Sequence, residues 1–359
     1  MFFEENRDRL AGFVRISHGA GARSDYVQGG GGNTSVKLQG GLMAIKASGF
    51  CLSDIEEDRA YAVLDCEAIR KFYYGNEPRE LADVEAEGSA CTKANVRNIE
   101  GLAQLRPSVE AGFHSILKTY VLHTHSVYAN LAACSTACRQ IAETAFQGAG
   151  YAWGWVPYTD PGANLTFAIR DELRRVKELT GKEPAVILMQ NHGIIVHDDD
   201  PDLCLAIHAD ANERLARMFG LSGASFPAVK VHELAGGCYL AATPYLKKRL
   251  KNCAYTQRDL LERPLYPDQM VFLADTFFMD QPSMAEGQAV ASSKTGELLM
   301  NMDGKKAKTL AETLTAVFFI MEHIQASGYR VSTMGEAAKS FIANWESEKY
   351  RKSLAGKKV

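Results

Sequence analysis

The segment Tyr120-Val121-Leu122-His123-Thr124-His125 joins a short apolar run to two histidines that are one residue apart. The apolar run predicts a β-strand, and side chains alternate across a strand, so residues two apart point in the same direction. His123 and His125 can therefore aim at one point, as two imidazole ligands of zinc must do at about 2.0–2.1 Å. The alternative is a pair of polar residues at the exit of a strand.

A third histidine follows a second apolar run. Residues 185–190 are almost entirely apolar, which is typical of a buried strand, and Asn191-His192-Gly193 interrupts the run before it resumes at residues 194–196. The glycine is expected to permit a sharp backbone turn. Alone, His192 is more typical of a structural histidine, but three histidines at two strand ends predict a divalent-metal site, because ligands commonly bind at strand ends in α/β folds.

An acidic residue precedes the first of these strands. Glu110 follows Pro107 and Ser108, and the sequence predicts a helix capped by Ser108 that reaches about Leu117, with Glu110 in its first turn. There the carboxylate can simply favour the helix dipole. Beside a metal, it can instead serve as a fourth ligand of the empty site and then as a general acid/base. His114, four residues later, either supports Glu110 or packs in the core.

A glycine run, Gly29-Gly30-Gly31-Gly32-Asn33, precedes a predicted β-hairpin formed by residues 35–38 and 42–46. Dinucleotide and triphosphate loops need a strand before the glycines and a helix after them, so both are excluded. The exposed backbone N–H groups can form an anion-binding nest, with Asn33, Ser48 and Gly49 as further donors and Lys46 as a local positive charge. A glycine-rich turn without a ligand is the alternative.

The composition limits the class of protein. The 359 residues carry a formal charge of −3, which is too small to indicate a nucleic-acid or anionic-membrane partner. The acidic N-terminus does not resemble a signal peptide, and the longest apolar run, residues 316–321, is far shorter than a membrane span. We therefore expect a cytoplasmic protein with eight reduced cysteines.

Strands and helices alternate up to Ser222, which predicts an α/β fold for residues 1–222. Residues 223–359 are expected to form an α+β C-terminal extension. Its predicted elements are a hairpin over 290–293 and 298–302, a helix over 307–326 and a final helix from a Thr333/Glu336 capping box to about 352. Within the first part we expect a helix over 64–73, a loop-rich segment over 75–95 and a solvated loop position for His197.

Five motifs in this order resemble the class II aldolase/adducin family over roughly residues 5–220: Gly-Gly-Asn33-Thr-Ser, Lys46-Ala-Ser48-Gly49, Pro107-Ser108-Val109-Glu110, His123-Thr-His125 and Asn191-His192-Gly193. Family members with similar motifs include L-fuculose-phosphate and L-rhamnulose-phosphate aldolases. The amino-acid sequence around Gly-Gly-Asn33-Thr-Ser is most similar to the aldolase part of longer proteins that join a rhamnulose-phosphate aldolase to a dehydrogenase.

The resemblance implies a three-layer αβα fold with a mainly antiparallel central sheet, a zinc ion (with Mn²⁺ and Co²⁺ as alternatives) and a homotetramer. It implies that His123, His125 and His192 bind the metal and that Glu110 is the acid/base. The substrate- and phosphate-binding residues are expected to be Gly32, Asn33, Lys46, Ser48, Gly49 and Ser108. Sugar-phosphate aldolases commonly have a second serine where this chain has Val109, so phosphorylation of the substrate stays open.

These features predict a metal-dependent aldolase that acts on a small sugar or sugar phosphate. It would cleave a ketose or ketose phosphate by a retro-aldol reaction through a zinc-stabilised enediolate. Epimerisation, dehydration or decarboxylation on the same metal site are alternatives. A non-catalytic, adducin-like scaffold is a further alternative, which predicts loss of the metal ligands.

Overall fold

A computed structural model describes residues 2–251 and 253–344 of the chain. Eight strands in the first 198 residues form one sheet. They are β1 (Asn33–Lys37), β2 (Leu42–Lys46), β3 (Tyr61–Asp65), β4 (Val96–Arg97), β5 (Tyr120–Thr124), β6 (Trp153–Val156), β7 (Val186–Met189) and β8 (Gly193–Asp198).

The strands of this sheet lie in the order β4-β3-β2-β1-β5-β8-β7-β6. Every neighbouring pair is antiparallel except β6 and β7, which are parallel. The predicted hairpin is present, with Val36 opposite Ala44. The prediction of a mainly antiparallel central sheet is confirmed, and β5 lies near its middle between β1 and β8.

Helices cover both faces of the sheet. They are α1 (Phe2–Glu5), α2 (Arg7–Gly21), α3 (Cys66–Gly75), α4 (Val84–Ala94), α5 (Ala111–Ile116), α6 (Val127–Ala133), α7 (Cys138–Ala145), α8 (Ala163–Thr180) and α9 (Pro201–Arg217).

Successive residues of the strands enter two different apolar cores, because side chains alternate across a sheet. Leu122 packs with α2, α6, α7 and α9 on one face, whereas Val121 packs with α3, α5 and α8 on the other. This arrangement of helices, sheet and helices is the expected three-layer αβα fold.

The C-terminal extension has a second, five-stranded sheet in the order β11-β12-β13-β10-β9. Its elements are β9 (Val231–Glu233), β10 (Tyr239–Ala241), α10 (Pro244–Leu250), α11 (Gln257–Glu262), α12 (Pro267–Leu273), β11 (Phe277–Met279), β12 (Gln288–Ala291), β13 (Leu298–Asn301), α13 (Gly304–Ala326) and α14 (Glu336–Asn344). β12 and β13 are the predicted hairpin, and α13 is the predicted long helix.

The extension packs against the first 222 residues over a continuous apolar surface. Phe319 of α13 lies 6.4 Å from Tyr128 of α6 between ring centroids, and one hydrophobic cluster runs from α2 and α6 into α13. The division into residues 1–222 and 223–359 stays a prediction about domains, and the two parts share a core.

Two local predictions from the sequence differ from the structure. Residues 84–94 form α4 rather than a loop, because Asp83 caps the helix through Ala86 N and the helix packs on α8. The helix predicted over 64–73 begins only at Cys66, since β3 continues to Asp65, whose side chain accepts a hydrogen bond from Ala68 N.

The end of the predicted final helix, beyond residue 344, lies outside the described residues. Among the helices of the described residues, none combines the length and the apolar character that crossing a membrane requires.

Candidate metal centre

Strand β5 positions two of the three predicted histidines. His123 faces Asn33 of β1 on one side and Ile195 of β8 on the other, so it lies inside the sheet, and His125 follows directly after the strand. Both side chains are buried, and their Nε2 atoms lie 3.1 Å apart. The structure therefore brings these two imidazoles to one point, as the spacing predicts.

The turn between β7 and β8 brings His192 to the same point. One nitrogen from each of His123, His125 and His192 lies within 4.8 Å of the others, and all three residues are buried. The backbone turn is made by Asn191, which has a φ of 51°. The expectation that Gly193 makes this turn is wrong. Gly193 is needed for a close approach, since a Cβ there would lie 2.3 Å from the Thr124 carbonyl oxygen.

The hydrogen bonds of the rings indicate which nitrogens carry protons. Nδ1 of His123 lies 3.1 Å from the carbonyl oxygen of Ile194, and Nδ1 of His125 lies 2.5 Å from Oδ2 of Asp268. A carbonyl and an ionised carboxylate only accept hydrogen bonds, so each Nδ1 donates, and in the neutral form of each ring Nε2 would present a lone pair. Burial lowers the pKa of His123 to about 3, which keeps this ring neutral at pH 7.

Two lone pairs that face each other at 3.1 Å repel unless a cation lies between or beside them. Neutral imidazole nitrogens are the commonest protein ligands of zinc and related divalent ions. The donor set of the three histidines therefore fits a divalent metal ion, and these residues would hold it.

Glu110 lies beside the histidines. Its Oε1 is 3.2 Å from Nε2 of His192, and its Oε2 is 3.6 Å from Nε2 of His123. Burial by itself raises the pKa of the Glu110 carboxyl, but the histidines around it hold that pKa well below its ordinary value. Glu110 therefore presents a carboxylate to the space that a metal and its substrate would share.

Glu110 occupies the N-cap position of α5, and Ser108 does not cap this helix by a side-chain hydrogen bond. The predicted capping role of Ser108 and the predicted first-turn position of Glu110 are therefore wrong. The helix begins at Ala111 because the backbone of residues 107 and 108 pairs with the strand segment after β2, as the bridge between Ala47 and Pro107 and the bond from Ser108 N to Lys46 O show.

A chain of hydrogen bonds orients the Glu110 carboxylate. Asn33 Nδ2 donates to Glu110 Oε2 at 2.6 Å and to Ser108 Oγ at 3.0 Å. Nε2 of His114 donates to Oδ1 of Asn33, and the other ring nitrogen lies 2.7 Å from Ser35 Oγ. His114 thus supports Glu110 through Asn33. Both amide hydrogens of Asn33 are engaged, so binding a phosphate with this group requires release of one of them.

The residues predicted to bind substrate line one small cavity of about 50 Å³ next to the histidines. They are Gly32, Asn33, Lys46, Ser48, Gly49 and Ser108, together with Glu110, His125 and His192. Lys46 is buried, and its Nζ donates to Phe50 O at 2.7 Å, which places a positive charge in the wall of the cavity. Val109 lines the same cavity with an apolar side chain.

Sequence reasoning missed the residues that the extension contributes. Pro267 lines the cavity, and the buried Asp268 contacts His125 although the two residues are 143 positions apart. A Pro-Asp pair is an ordinary helix start, so the sequence carries no signal that links it to a histidine. The sequence also misassigned His197, which is fully buried in β8 instead of solvated.

One known protein family matches the chain. The model of the family described as "Class II Aldolase and Adducin N-terminal domain" matches residues 14–219. No curated protein sequence matches the chain.

Several solved structures are similar to the chain. The N-terminal class II aldolase domain of a conserved protein from Thermoplasma acidophilum is 22% identical with a TM-score of 0.46, covering 57% of this chain and 91% of that chain. YgbL from Klebsiella pneumoniae is 18% identical with a TM-score of 0.41, covering 61% and 92%. L-Fuculose-1-phosphate aldolase from Thermus thermophilus is 13% identical with a TM-score of 0.36, covering 60% and 95%.

Proposed function

The chain belongs to the class II aldolase and adducin family, and from this premise we propose that it is a metal-dependent aldolase that cleaves a ketose or a ketose phosphate. The observation that carries the proposal is the convergence of His123, His125 and His192 on one buried point with the carboxylate of Glu110 beside it. A purely structural cluster would not need three imidazoles and a carboxylate in one buried place.

The residues of the site would have two separate roles in a retro-aldol reaction, metal binding and proton transfer. When bound by the three histidines, a divalent ion would act as a Lewis acid on a substrate carbonyl oxygen. Breaking the carbon–carbon bond turns one substrate hydroxyl into an aldehyde carbonyl, which releases a proton, and leaves an enediolate carbon that must receive one. An ionised carboxylate can accept the first proton and supply one to that carbon. Glu110 lines the cavity, with its Oε2 held by Asn33 at 2.6 Å and its Oε1 3.2 Å from Nε2 of His192, so its carboxylate lies where it could move that proton.

The cavity wall suits a small oxygenated substrate. Lys46 supplies a positive charge, Ser48 and Ser108 supply hydroxyl groups, and Gly32 and Gly49 expose backbone. These groups match the hydroxyl or phosphate oxygens of a sugar. Val109 offers no hydrogen bond, so the cavity supports an unphosphorylated substrate as well as a phosphorylated one.

We also propose zinc as the metal, with Mn²⁺ and Co²⁺ as alternatives, a homotetrameric assembly and a cytoplasmic location. The metal preference rests on the three imidazole ligands, which suit zinc. The assembly and the location follow from the family resemblance and from the sequence. Light scattering after size exclusion measures the assembly directly.

Metal content tests the proposal first. Elemental mass spectrometry of the purified protein is expected to find about one equivalent of zinc per chain, lost in His123→Ala. The zinc-loaded protein is then incubated with ketoses and ketose 1-phosphates, and aldehyde release is measured. Negligible metal in both proteins after reconstitution with zinc would overturn the proposal and favour a non-catalytic scaffold.

Product analysis separates the alternative reactions on the same site. An aldolase yields two carbonyl fragments, whereas an epimerase changes only a stereocentre, a dehydratase loses water and a decarboxylase releases carbon dioxide. A zinc-loaded protein that gives one of these other products would overturn the aldolase assignment and leave the metal site intact.

A further inference from the structure

The C-terminal extension contributes a buried carboxylate to the surroundings of the three histidines. Asp268 lies in α12 and is fully buried, and its Oδ2 is 2.5 Å from Nδ1 of His125. The extension thus reaches a predicted metal ligand directly, although it lies outside the part of the chain that matches the family model, residues 14–219.

The contact determines which nitrogen of His125 faces the centre. Nδ1 donates its proton to Asp268, so the lone pair of the ring is on Nε2, which lies 3.1 Å from Nε2 of His123. A carboxylate on the far side of a ligating imidazole fixes its tautomer and orientation and increases its basicity. We propose that Asp268 is a positioning residue of the metal centre, so that the extension forms part of this centre. The inference rests on the proposed function, because it requires that the histidines bind a metal.

The negative charge of Asp268 favours a role at the metal centre over a hydrogen bond that only joins the extension to His125. A carboxylate at 0% exposure carries a large desolvation cost when ionised, which one hydrogen bond to an imidazole ring offsets only in part. An amide would accept the same proton from His125 without that cost. A metal cation on the other side of the imidazole compensates the negative charge, which gives a physical reason for a carboxylate at this position.

The surroundings of Asp268 hold it in place. Gln269 Nε2 donates to Leu260 O at 2.6 Å, and Gln269 Oε1 accepts from Leu265 N at 2.8 Å, so the start of α12 is fixed from two directions. A Cβ on Gly31 would lie 2.3 Å from Oδ2 of Asp268, so the glycine-rich loop packs directly on the carboxylate. Asp268 therefore has no room to turn away from His125.

The same part of the extension also supports the third histidine. Asn191 Nδ2 donates to Leu265 O at 2.8 Å and to Ser332 O at 2.9 Å, and Asn191 directly precedes His192. Residues 265–268 and 332 thus help to orient two of the three histidines, His125 directly and His192 through Asn191. Each of these hydrogen bonds joins residues more than 70 positions apart in the chain. Asp268 makes a hydrogen bond to a ligand ring, and the Tyr266 ring packs edge-on against the same His125 ring with the centroids 6.2 Å apart.

Asp268→Asn tests the inference, because the amide retains the size and can still accept from His125 Nδ1 but has no charge. Zinc affinity of the full-length protein is measured by competition with a chromophoric chelator, and the visible absorption spectrum is recorded after cobalt substitution. We expect affinity to fall by about 10- to 100-fold and the cobalt bands to shift. The urea midpoint in the presence of a chelator should stay close to that of the unmodified protein.

Glu312→Gln is the matched control. Glu312 is also a buried carboxylate of the extension, and its Oε2 accepts from Gly29 N at 3.1 Å without touching a histidine. This variant is expected to retain full zinc affinity. An equal loss of affinity in Glu312→Gln and Asp268→Asn would overturn the inference, because general loosening of the extension would then explain both.

Gly31→Ala is a second variant, whose Cβ would lie 2.3 Å from Oδ2 of Asp268 and 3.3 Å from Nδ1 of His125, so it disturbs this contact without removing the charge. It is also expected to weaken zinc binding, and it carries the test if Asp268→Asn does not fold. Unchanged affinity and unchanged cobalt spectra in the folded variants would refute the role of Asp268. Absence of zinc binding by the unmodified protein would instead refute the proposed function.

Discussion

The chemistry of the site depends on proton positions at individual residues. His123 and His125 each donate from Nδ1, to Ile194 O and Asp268, so their Nε2 atoms face each other at 3.1 Å and are the atoms available to a metal. Glu110 is held in the ionised form by the histidines around it, although burial opposes this. The site therefore places imidazole groups that can bind a metal within a few ångströms of an anionic acid/base.

Glu110→Gln tests the acid/base role. Glutamine can still accept from Asn33 Nδ2 through its side-chain oxygen but cannot transfer a proton, so we expect turnover to fall by about 10²- to 10⁴-fold. Zinc content should change little, because the three histidines remain. Turnover with the best ketose substrate and zinc per chain are measured on the same preparation. Full turnover in Glu110→Gln would show that another group moves the proton.

Asn33 and His114, which belong to two neighbouring elements, orient the Glu110 carboxylate for the acid/base role. Asn33 is in β1 and His114 in α5, yet together they form the hydrogen-bond chain that ends on Glu110. The sequence placed Asn33 among phosphate ligands and left His114 between support and packing. Only the register of β1 against β5, with Asn33 opposite His123, brings the Asn33 amide beside Glu110 and the histidines.

At the scale of elements, the site is located where β5 ends beside the start of β8. Thr124 of β5 pairs with Ile194 of β8, and Gly193 begins β8 directly against the carbonyl of Thr124. The two strands therefore carry His123, His125 and His192 into the same space. The distance between these strand ends determines whether the three imidazoles can share one ion.

Gly193→Ala tests this dependence. The added Cβ would lie 2.3 Å from Thr124 O, so the strands must separate, and we expect a loss of about 1–3 kcal/mol in the free energy of unfolding together with weaker zinc binding. Urea denaturation and zinc titration measure the two effects. Gly150→Ala is the control, because a Cβ there meets no atom within 4 Å. Equal stability of the two variants would refute the steric argument.

At the scale of the whole molecule, the first 222 residues and the extension share one apolar core. Phe319 of α13 packs on Tyr128 and on Phe226, with ring centroids 6.4 and 5.3 Å apart. The same packing places α12 near the sheet, so that Asp268 contacts His125. Folding of the extension and formation of the site are therefore expected to be coupled.

Burial of neutral histidines in this core predicts acid sensitivity. Burial lowers the pKa of His197 to about 3 from its ordinary value of 6.5. Between these values the unfolded chain binds a proton that the folded chain does not, so the free energy of unfolding falls as the pH falls through this range. The slope from one such histidine is at most about 1.4 kcal/mol per pH unit.

His197→Gln is expected to reduce that slope, because the titrating ring is gone while an acceptor for Lys118 N remains. Urea unfolding is measured between pH 7.5 and pH 4.5 in the presence of a chelator, so that metal release does not contribute. His232→Gln serves as the control, since His232 is exposed. Identical slopes for His197→Gln and the unmodified protein would contradict the prediction.

The sequence by itself determined the elements whose patterns are local. The apolar runs before His123 and His192 predicted β5 and β7, the spacing of His123 and His125 predicted their common direction, and the turn residues predicted both hairpins. Patterns of this kind are determined by backbone geometry within a few residues. α4 was missed because a polar, half-exposed helix has no clear apolar period.

Only the tertiary structure decided what depends on distant parts of the chain. The hydrogen bond from His125 to Asp268 joins residues 143 positions apart, and the N-cap position of Glu110 follows from the pairing of Pro107 with Ala47. Neither contact leaves a periodic or spacing signal in the sequence. The physical reason is that these contacts form when packed elements meet, and packing depends on the shapes of surfaces assembled from many separate segments.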